Sequence, residues 1–191
     1  MVLDKQDVER YQQCYDAATS GLEGYLLLEG NARRALTDGD VVILEQKAAL
    51  FKEALKINPG SFPSIFFLGK IYQRLEDYQS ALFYLEEAVN NHASDCNAPM
   101  EASIVAMSLD LTARAVRYSE EAVRRAPDYL NAITNHAANL FVTGNDEKAL
   151  EMVAAALAID SEDPIANMLE QMILEVKQGR RIRPTFHQLI R

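Results

Sequence analysis

The stretch IFFLGKIYQRLEDYQSALFYLEEA, residues 65–88, decides the fold. Ile65, Leu68, Gly69 and Tyr72 share one helical face, and Ala81, Leu85 and Ala88 share another, with Glu76-Asp77 between the two runs. Outward from this stretch, the chain keeps its step. Ala54, Ala88, Ala122 and Ala156 stand 34 residues apart, as do Ala81, Ala115 and Ala149, and the weaker series Pro59, Ala93, Pro127 and Ser161. A fixed period of this size means one supersecondary unit copied along the chain. A 34-residue unit is two short helices and two turns. Neither helix buries its apolar face alone, so neighbouring units must stack.

The small residues have a physical role. Helices that cross at short range need residues without bulk at the contact, which Gly69, Ala81 and Ala88 supply. Leu68, Tyr72, Leu82 and Leu85 fill the space around them. Pro59 and Pro127 follow the second helices, where proline ends one unit and starts the next.

These residues resemble the tetratricopeptide repeat (TPR), whose pattern is Trp, Leu-Gly, Tyr, Ala, Phe, Ala and Pro. Ile65 stands for the Trp and Leu85 for the Phe. The next copy has Ala102, Ser103 and Ala106 for Leu, Gly and Tyr, then Ala115, Ala122 and Pro127. The third has His136, Ala137 and Leu140, then Gly144, Ala149, Val153 and Ala156. Before Phe62 only a second helix is clean, in Phe51, Ala54 and Pro59. The resemblance covers roughly residues 41–178 and implies an all-α, right-handed solenoid of antiparallel helical hairpins. It also implies that the first helix of each unit lines a concave side that holds other proteins.

Helices are expected over 4–19, 22–36, 41–57, 62–75, 78–91, 97–109, 112–125, 129–142 and 146–159, with a capping helix from Pro164 to about Gln178, closed by Gly179. Thr37-Asp38-Gly39-Asp40 reads as a turn, and Gly144-Asn145-Asp146 as a second one. Asp77, Asp95, Asp128 and Asp146 lie at or near helix starts, where a carboxylate accepts orphan N–H groups. The expected organisation is an N-terminal helical segment and degenerate first repeat over 1–40, an array with its capping helix over 41–178, and a basic tail over 179–191.

Composition narrows the function. Hydrophobic residues make up 49% of the 191 and charged residues 25%, ordinary for a soluble fold. No apolar run reaches the roughly 20 residues a membrane span needs. MVLDKQDVERYQQ has no basic-then-apolar signal pattern, so a cytoplasmic location is expected. A net charge of −9 argues against nucleic acid as a partner. The charge is uneven: GRRIRPTFHQLIR, the last thirteen residues, holds four Arg and no acid, while the other 178 residues carry a net −13. Cys14 and Cys96 read as ordinary reduced thiols.

No catalytic, cofactor or metal residues are expected. His92, His136 and His187 have no second ligand at zinc spacing, and His136 falls where the repeat has a core leucine. Glu86-Glu87 and Glu120-Glu121 recur at one repeat position, which marks a solvated helix face rather than an acid–base pair. No phosphate loop or nucleophile elbow is present.

The expected partner-binding groove follows one face of the first helices: Phe66, Lys70 and Gln73; Asn97, Met100, Ile104 and Met107; Asn131, Thr134 and Phe141; then Met168 and Met172. It is mostly apolar, and four of the six methionines fall on it, a residue type suited to adaptable apolar contacts. Some TPR domains clamp a terminal carboxylate with Lys, Asn and Arg. Here Phe66 occupies a position where Lys is wanted, and Lys70 with Asn135 does not complete a clamp. The tail carries Arg180, Arg181, Arg183 and Arg191 around Ile182, Phe186, Leu189 and Ile190, and Pro184-Thr185 starts one short helical turn. It is expected to dock on its own array, on a second copy as a homodimer, or on a partner. The leading function is an adaptor that binds a peptide or helix of another protein. A small chaperone of the type III secretion kind, a self-associating module, and an enzyme with a TPR scaffold are the alternatives.

Overall fold

A computed structural model describes residues 3–26 and 34–189. The fold is all-α, with ten α helices, one short 3₁₀ helix and no strand among the described residues. The chain divides into two compact units, 1–92 and 93–191.

The first unit holds α1 (Lys5–Thr19), the 3₁₀ helix (Leu22–Gly24), α2 (Asp38–Ile57), α3 (Phe62–Arg74) and α4 (Tyr78–Asn91). Helix α1 packs on α2, α2 on α3, and α3 pairs with α4 as a hairpin. The starts are capped by side chains: Asp4 accepts from the Asp7 N–H at 2.8 Å, and Asp77 from the Ser80 N–H at 3.1 Å. Residues 37–40, expected as a turn, instead open α2. The Thr37 hydroxyl accepts from the Asp40 N–H at 3.2 Å while the Asp40 carboxylate accepts from the Thr37 N–H at 2.8 Å, a capping box that starts the helix three residues early.

Of the helix expected over 22–36, residues 27–33 lie outside the described residues, and the described ends are not α-helical. Only Leu22–Gly24 makes a 3₁₀ helix, preceded by Gly21 at φ 68°, and residues 34–37 are not helical. Leu28 lies outside the described residues. The buried Arg74 holds the two described ends. Its Nε donates to the Tyr25 carbonyl at 2.8 Å and its Nη2 to the Arg34 carbonyl, so these acceptors are satisfied without a helix. Leu22 and Leu26 join a core with Ala18, Leu44, Ala48, Phe51, Leu68 and Ile71.

The second unit holds α5 (Asn97–Ser108), α6 (Thr112–Arg125), α7 (Leu130–Val142), α8 (Asp146–Ile159), α9 (Pro164–Lys177) and α10 (Phe186–Leu189). Helices α5 and α6, then α7 and α8, form hairpins; α6 packs on α7, and α9 covers α8 and α7. Asp163 caps α9 by accepting from the Ala166 N–H at 2.6 Å, and Pro164 sits in the first turn. Asp95 accepts from the Ala98 N–H at 2.8 Å. Helix α7 begins after Tyr129 with no side-chain cap, so Asp128 does not serve there, and Asp146 lies inside α8 with its carboxylate directed elsewhere.

All seven alanines of the two main series have no exposed surface. A Cβ built on Gly69 would lie 2.6 Å from Cγ of Leu85, which shows how closely α3 and α4 approach. A fourth 34-residue series appears in the backbone. Glu76, Asp110 and Gly144 have φ of 62°, 58° and 87°. Each ends a first helix in the left-handed region. At Asp110 and Gly144 the full Schellman pair is present: Leu111 N–H to the Ala106 carbonyl and Asn145 N–H to the Leu140 carbonyl, both 2.9 Å, close the outer ring.

Candidate functional site

The candidate site is built on the first helices of the second unit. Helix α5 touches α7, and α7 touches α9. Between α5 and α7 the Ser103 hydroxyl donates to Asn135 Oδ1 at 2.7 Å, and Asn139 Nδ2 donates to the same oxygen at 3.4 Å. Asn135 therefore serves the packing of its own unit.

The expected groove residues divide by burial. Met100, Ile104, Asn97 and Asn131 are half-buried, and Met168 is 42% exposed. Met107, Thr134, Phe141 and Met172 are buried. Phe141 and Met172 belong to a core with Leu140, Val153, Leu169 and Ile173, and the Thr134 hydroxyl donates to the Leu130 carbonyl at 3.1 Å. As they stand, these four offer no open surface. In the first unit Lys70 and Gln73 are buried and Phe66 is half-buried, stacked on Phe62 at 5.7 Å.

The tail explains part of this burial. Gly179, at φ 69°, ends α9, and the Arg180 N–H bonds back to the Glu175 carbonyl at 2.9 Å. The chain then crosses the unit. Arg181 pairs with Glu175 of α9 at 3.1 Å. Arg183 reaches Asp146 with both arms, Nη1 to Oδ1 at 2.6 Å and Nη2 to Oδ2 at 2.8 Å, and Nη1 also donates to the Phe141 carbonyl at the end of α7. Its guanidinium lies 5.2 Å from the centre of the Phe141 ring. Pro184 and Phe186 are buried, Leu189 packs on the core that contains Phe141, and α10 packs on α5. The Thr185 N–H donates to Gln188 Oε1 at 2.9 Å and closes the short helix. Arg180 and Ile182 are exposed, and Ile190 and Arg191 lie outside the described residues.

The electrostatics agree with this seating. The Arg183 hydrogen bonds hold the Asp146 carboxyl below its ordinary value and raise the guanidinium in return. Glu175 is lowered by Gln171 first and by Arg181 with it.

His136 is buried, with Nδ1 2.8 Å from the Ser119 hydroxyl of α6. Burial lowers its pKa, against the pull of Glu120. It borders an open hollow of about 460 Å³ with Arg117, Glu120, Glu121, Val123, Arg124 and Met152. Glu121 is held by Arg124 and Arg125 down to about 2, so it is a structural carboxylate and not a proton carrier. Ser119 is fully buried and donates to the Val116 carbonyl, which leaves it no path to a substrate.

Sequence reasoning missed Asp146 as the arginine acceptor because a helix-start Asp reads as a cap. It also missed Ser119 as the partner of His136. The available signal was their spacing: Ser119 follows the Ala115 step by one helical turn, on the face that meets the next first helix. Among the described residues, no helix is long and apolar enough to cross a membrane, and no group of three His, Cys, Asp or Glu is placed to hold a metal.

The tetratricopeptide-repeat family model matches residues 62–91. No curated protein sequence matches the chain. Among solved structures, MamA is similar at 18% identity and TM-score 0.73, over 91% of this chain and 85% of that one. YrrB, described as a TPR protein with an unusual peptide-binding site, is similar at 18% identity and TM-score 0.63, over 88% and 87%. The TPR2B domain of yeast Sti1, in complex with pHsp70, is similar at 20% identity and TM-score 0.56, over 62% and 98%. Residues 62–91 thus carry a tetratricopeptide repeat, and the 34-residue register of buried alanines goes with the helical-hairpin fold of these structures.

Proposed function

We propose that the chain is a protein-interaction adaptor that takes a short segment of another protein on the first-helix face of its second unit. The role is binding rather than catalysis, without a cofactor, and it goes with a cytoplasmic location. The organisation that fits it is the segment 1–40, the array 41–178 and the tail 179–191.

One observation carries this reading. The second unit already holds a peptide segment, its own residues 181–189, across α9, α7 and α5 in turn. A surface that seats a chain this way has the polar anchors and apolar seats that a partner segment needs. Met100, Ile104 and Met168 leave further apolar surface beside it. By their descriptions, YrrB has a peptide-binding site and the Sti1 domain is in complex with pHsp70. Acidic chaperone tails fit poorly, because Lys70 is buried and the body is acidic. A secretion-type chaperone is the finer alternative, since it would use the same apolar surface. Self-association through the tail is the other.

The test is capture of binding peptides from a random display library by immobilised protein, with an Ile104→Glu/Met168→Glu variant beside it. Selected peptides should carry apolar anchors, and the variant should lose them at least tenfold with its helical circular dichroism unchanged. Equal capture by both proteins moves the site off this face.

A further inference from the structure

We infer that residues 183–189 are an internal ligand, and that the partner of this surface displaces them by presenting the same chemistry: an arginine followed by a short proline-started turn with two apolar anchors. This rests on the adaptor reading and specifies both its partner class and its regulation.

Three features of the tail are those of a ligand rather than of a packed helix. Its contacts are sequential along the chain, with Arg181 on α9, Arg183 on the α7–α8 corner and α10 on α5. Its central anchor is a bidentate carboxylate–guanidinium pair, reinforced by a backbone carbonyl and an aromatic face, the geometry that selects arginine over lysine. Its helical part is four residues, too short to be stable apart from the surface it lies on. Ile182, between two anchored arginines, is 92% exposed, so the segment stands off the body between Arg181 and Arg183.

The charge pattern sets the specificity. The body of 178 residues is at net −13 and the tail has four arginines and no acid, so an acidic competitor would meet repulsion where a basic one gains. Asp146 is the discriminating residue. Its carboxylate is mostly shielded and already paired on both oxygens, so a segment without arginine at this place would strand it. Because the tail is tethered, it competes at a high effective concentration, and a free partner of equal intrinsic affinity binds weakly until the tail lets go.

The experiment uses the full chain and a fluorescently labelled peptide of residues 180–191, RRIRPTFHQLIR. Two variants release the tail independently, Arg183→Glu and Phe186→Ser/Leu189→Ser, with circular dichroism to confirm that the helices persist. Both should bind the peptide at least tenfold more tightly than the parent protein. Adding Asp146→Arg to the Phe186→Ser/Leu189→Ser variant should remove at least tenfold of that affinity, and a peptide with Arg183→Asp should recover it. Peptide binding that is no tighter to either released variant than to the parent overturns the inference. So does binding to the released variants that ignores Asp146→Arg. If library peptides are captured on this face and either overturning result is obtained, the adaptor reading stands and only the internal ligand fails.

Discussion

The two units share a register and fill it with different matter. The first is packed with rings: Tyr15 meets the edge of Phe51 at 5.9 Å, Phe51 stacks on Phe67 at 5.6 Å, and Tyr72 stacks on Tyr84 at 5.6 Å. The second is packed with small and aliphatic residues, Ala98, Ala102, Ala106, Ala132 and Ala137 among them, with the half-buried polar contact Ser103–Asn135 and the buried one Ser119–His136. The repeat therefore dictates the backbone spacing at the crossings, through Ala88 in one unit and Ala122 in the other. It does not dictate what fills the volume between them. Bulk does so in the first unit. In the second, small side chains bring the helices together, polar bonds hold them, and the tail lies across their ends.

The comparison breaks most sharply at Phe51. Its truncation to Ala removes the ring that links Tyr15 to Phe67 and should cost about 3–5 kcal/mol, read by urea denaturation. A cost under 1 kcal/mol would mean the first unit does not depend on its aromatic stack.

The shared register is tested by Ala88→Leu and Ala122→Leu. Both alanines have no exposed surface, and each substitution should overpack its crossing by about 1–3 kcal/mol, alike in the two units. Gly69→Ala should act in the same direction, through the Leu85 side chain it would meet. An unchanged melting temperature at either alanine would mean that its crossing is looser than the register implies.

The polar packing of the second unit gives it a pH dependence on the acid side, whereas burial raises the Tyr15 and Tyr84 phenols of the first unit and places theirs on the alkaline side. Burial keeps His136 neutral, with its folded pKa below the ordinary 6.5. The unfolded chain then takes up a proton first, so the contribution of His136 is whole above about 6.5 and is lost as pH falls through the folded value. Titration followed by melting temperature should show a decline that His136→Leu removes. Asp146 adds a second step further down. Its contribution is whole above 3.8 and fades as pH falls below it, and cleavage at the covered Phe186 and Leu189 by pepsin, which works at that pH, should rise with it.

The smallest expected effect sharpens the register itself. Asp110 holds the left-handed conformation that Gly144 holds one repeat later. Asp110→Gly relieves the strain of a side chain there, partly offset by the freedom glycine brings to the unfolded chain, for a net gain of about 0.5–1 kcal/mol. Differential scanning calorimetry would register it as a slightly higher melting temperature, and a lower one would mean that the Asp side chain supports the turn.

The alanine series, the helices from Phe62 onward and the helical turn after Pro184 were legible from the residues alone. The reason is that each rests on near neighbours: a 34-residue copy, a cap three residues away, a proline that stops a helix. The irregular ends of the stretch expected as a helix over 22–36 were not, because the Tyr25 and Arg34 carbonyls are bonded by Arg74, about 40 residues or more further along the chain. Candidate site residues were legible only as a face. Helical periodicity assigns Met107, Phe141 and Met172 to one side of their helices, yet which side chains stay open depends on what lies over them. The sequence alone determined the repeat and its spacing, since these follow from local periodicity and residue size. Only the tertiary structure decided that Arg183 meets Asp146 and the Phe141 carbonyl, since the chain must first fold α7 and α8 into a corner before a carboxylate, a carbonyl and a ring converge on one guanidinium.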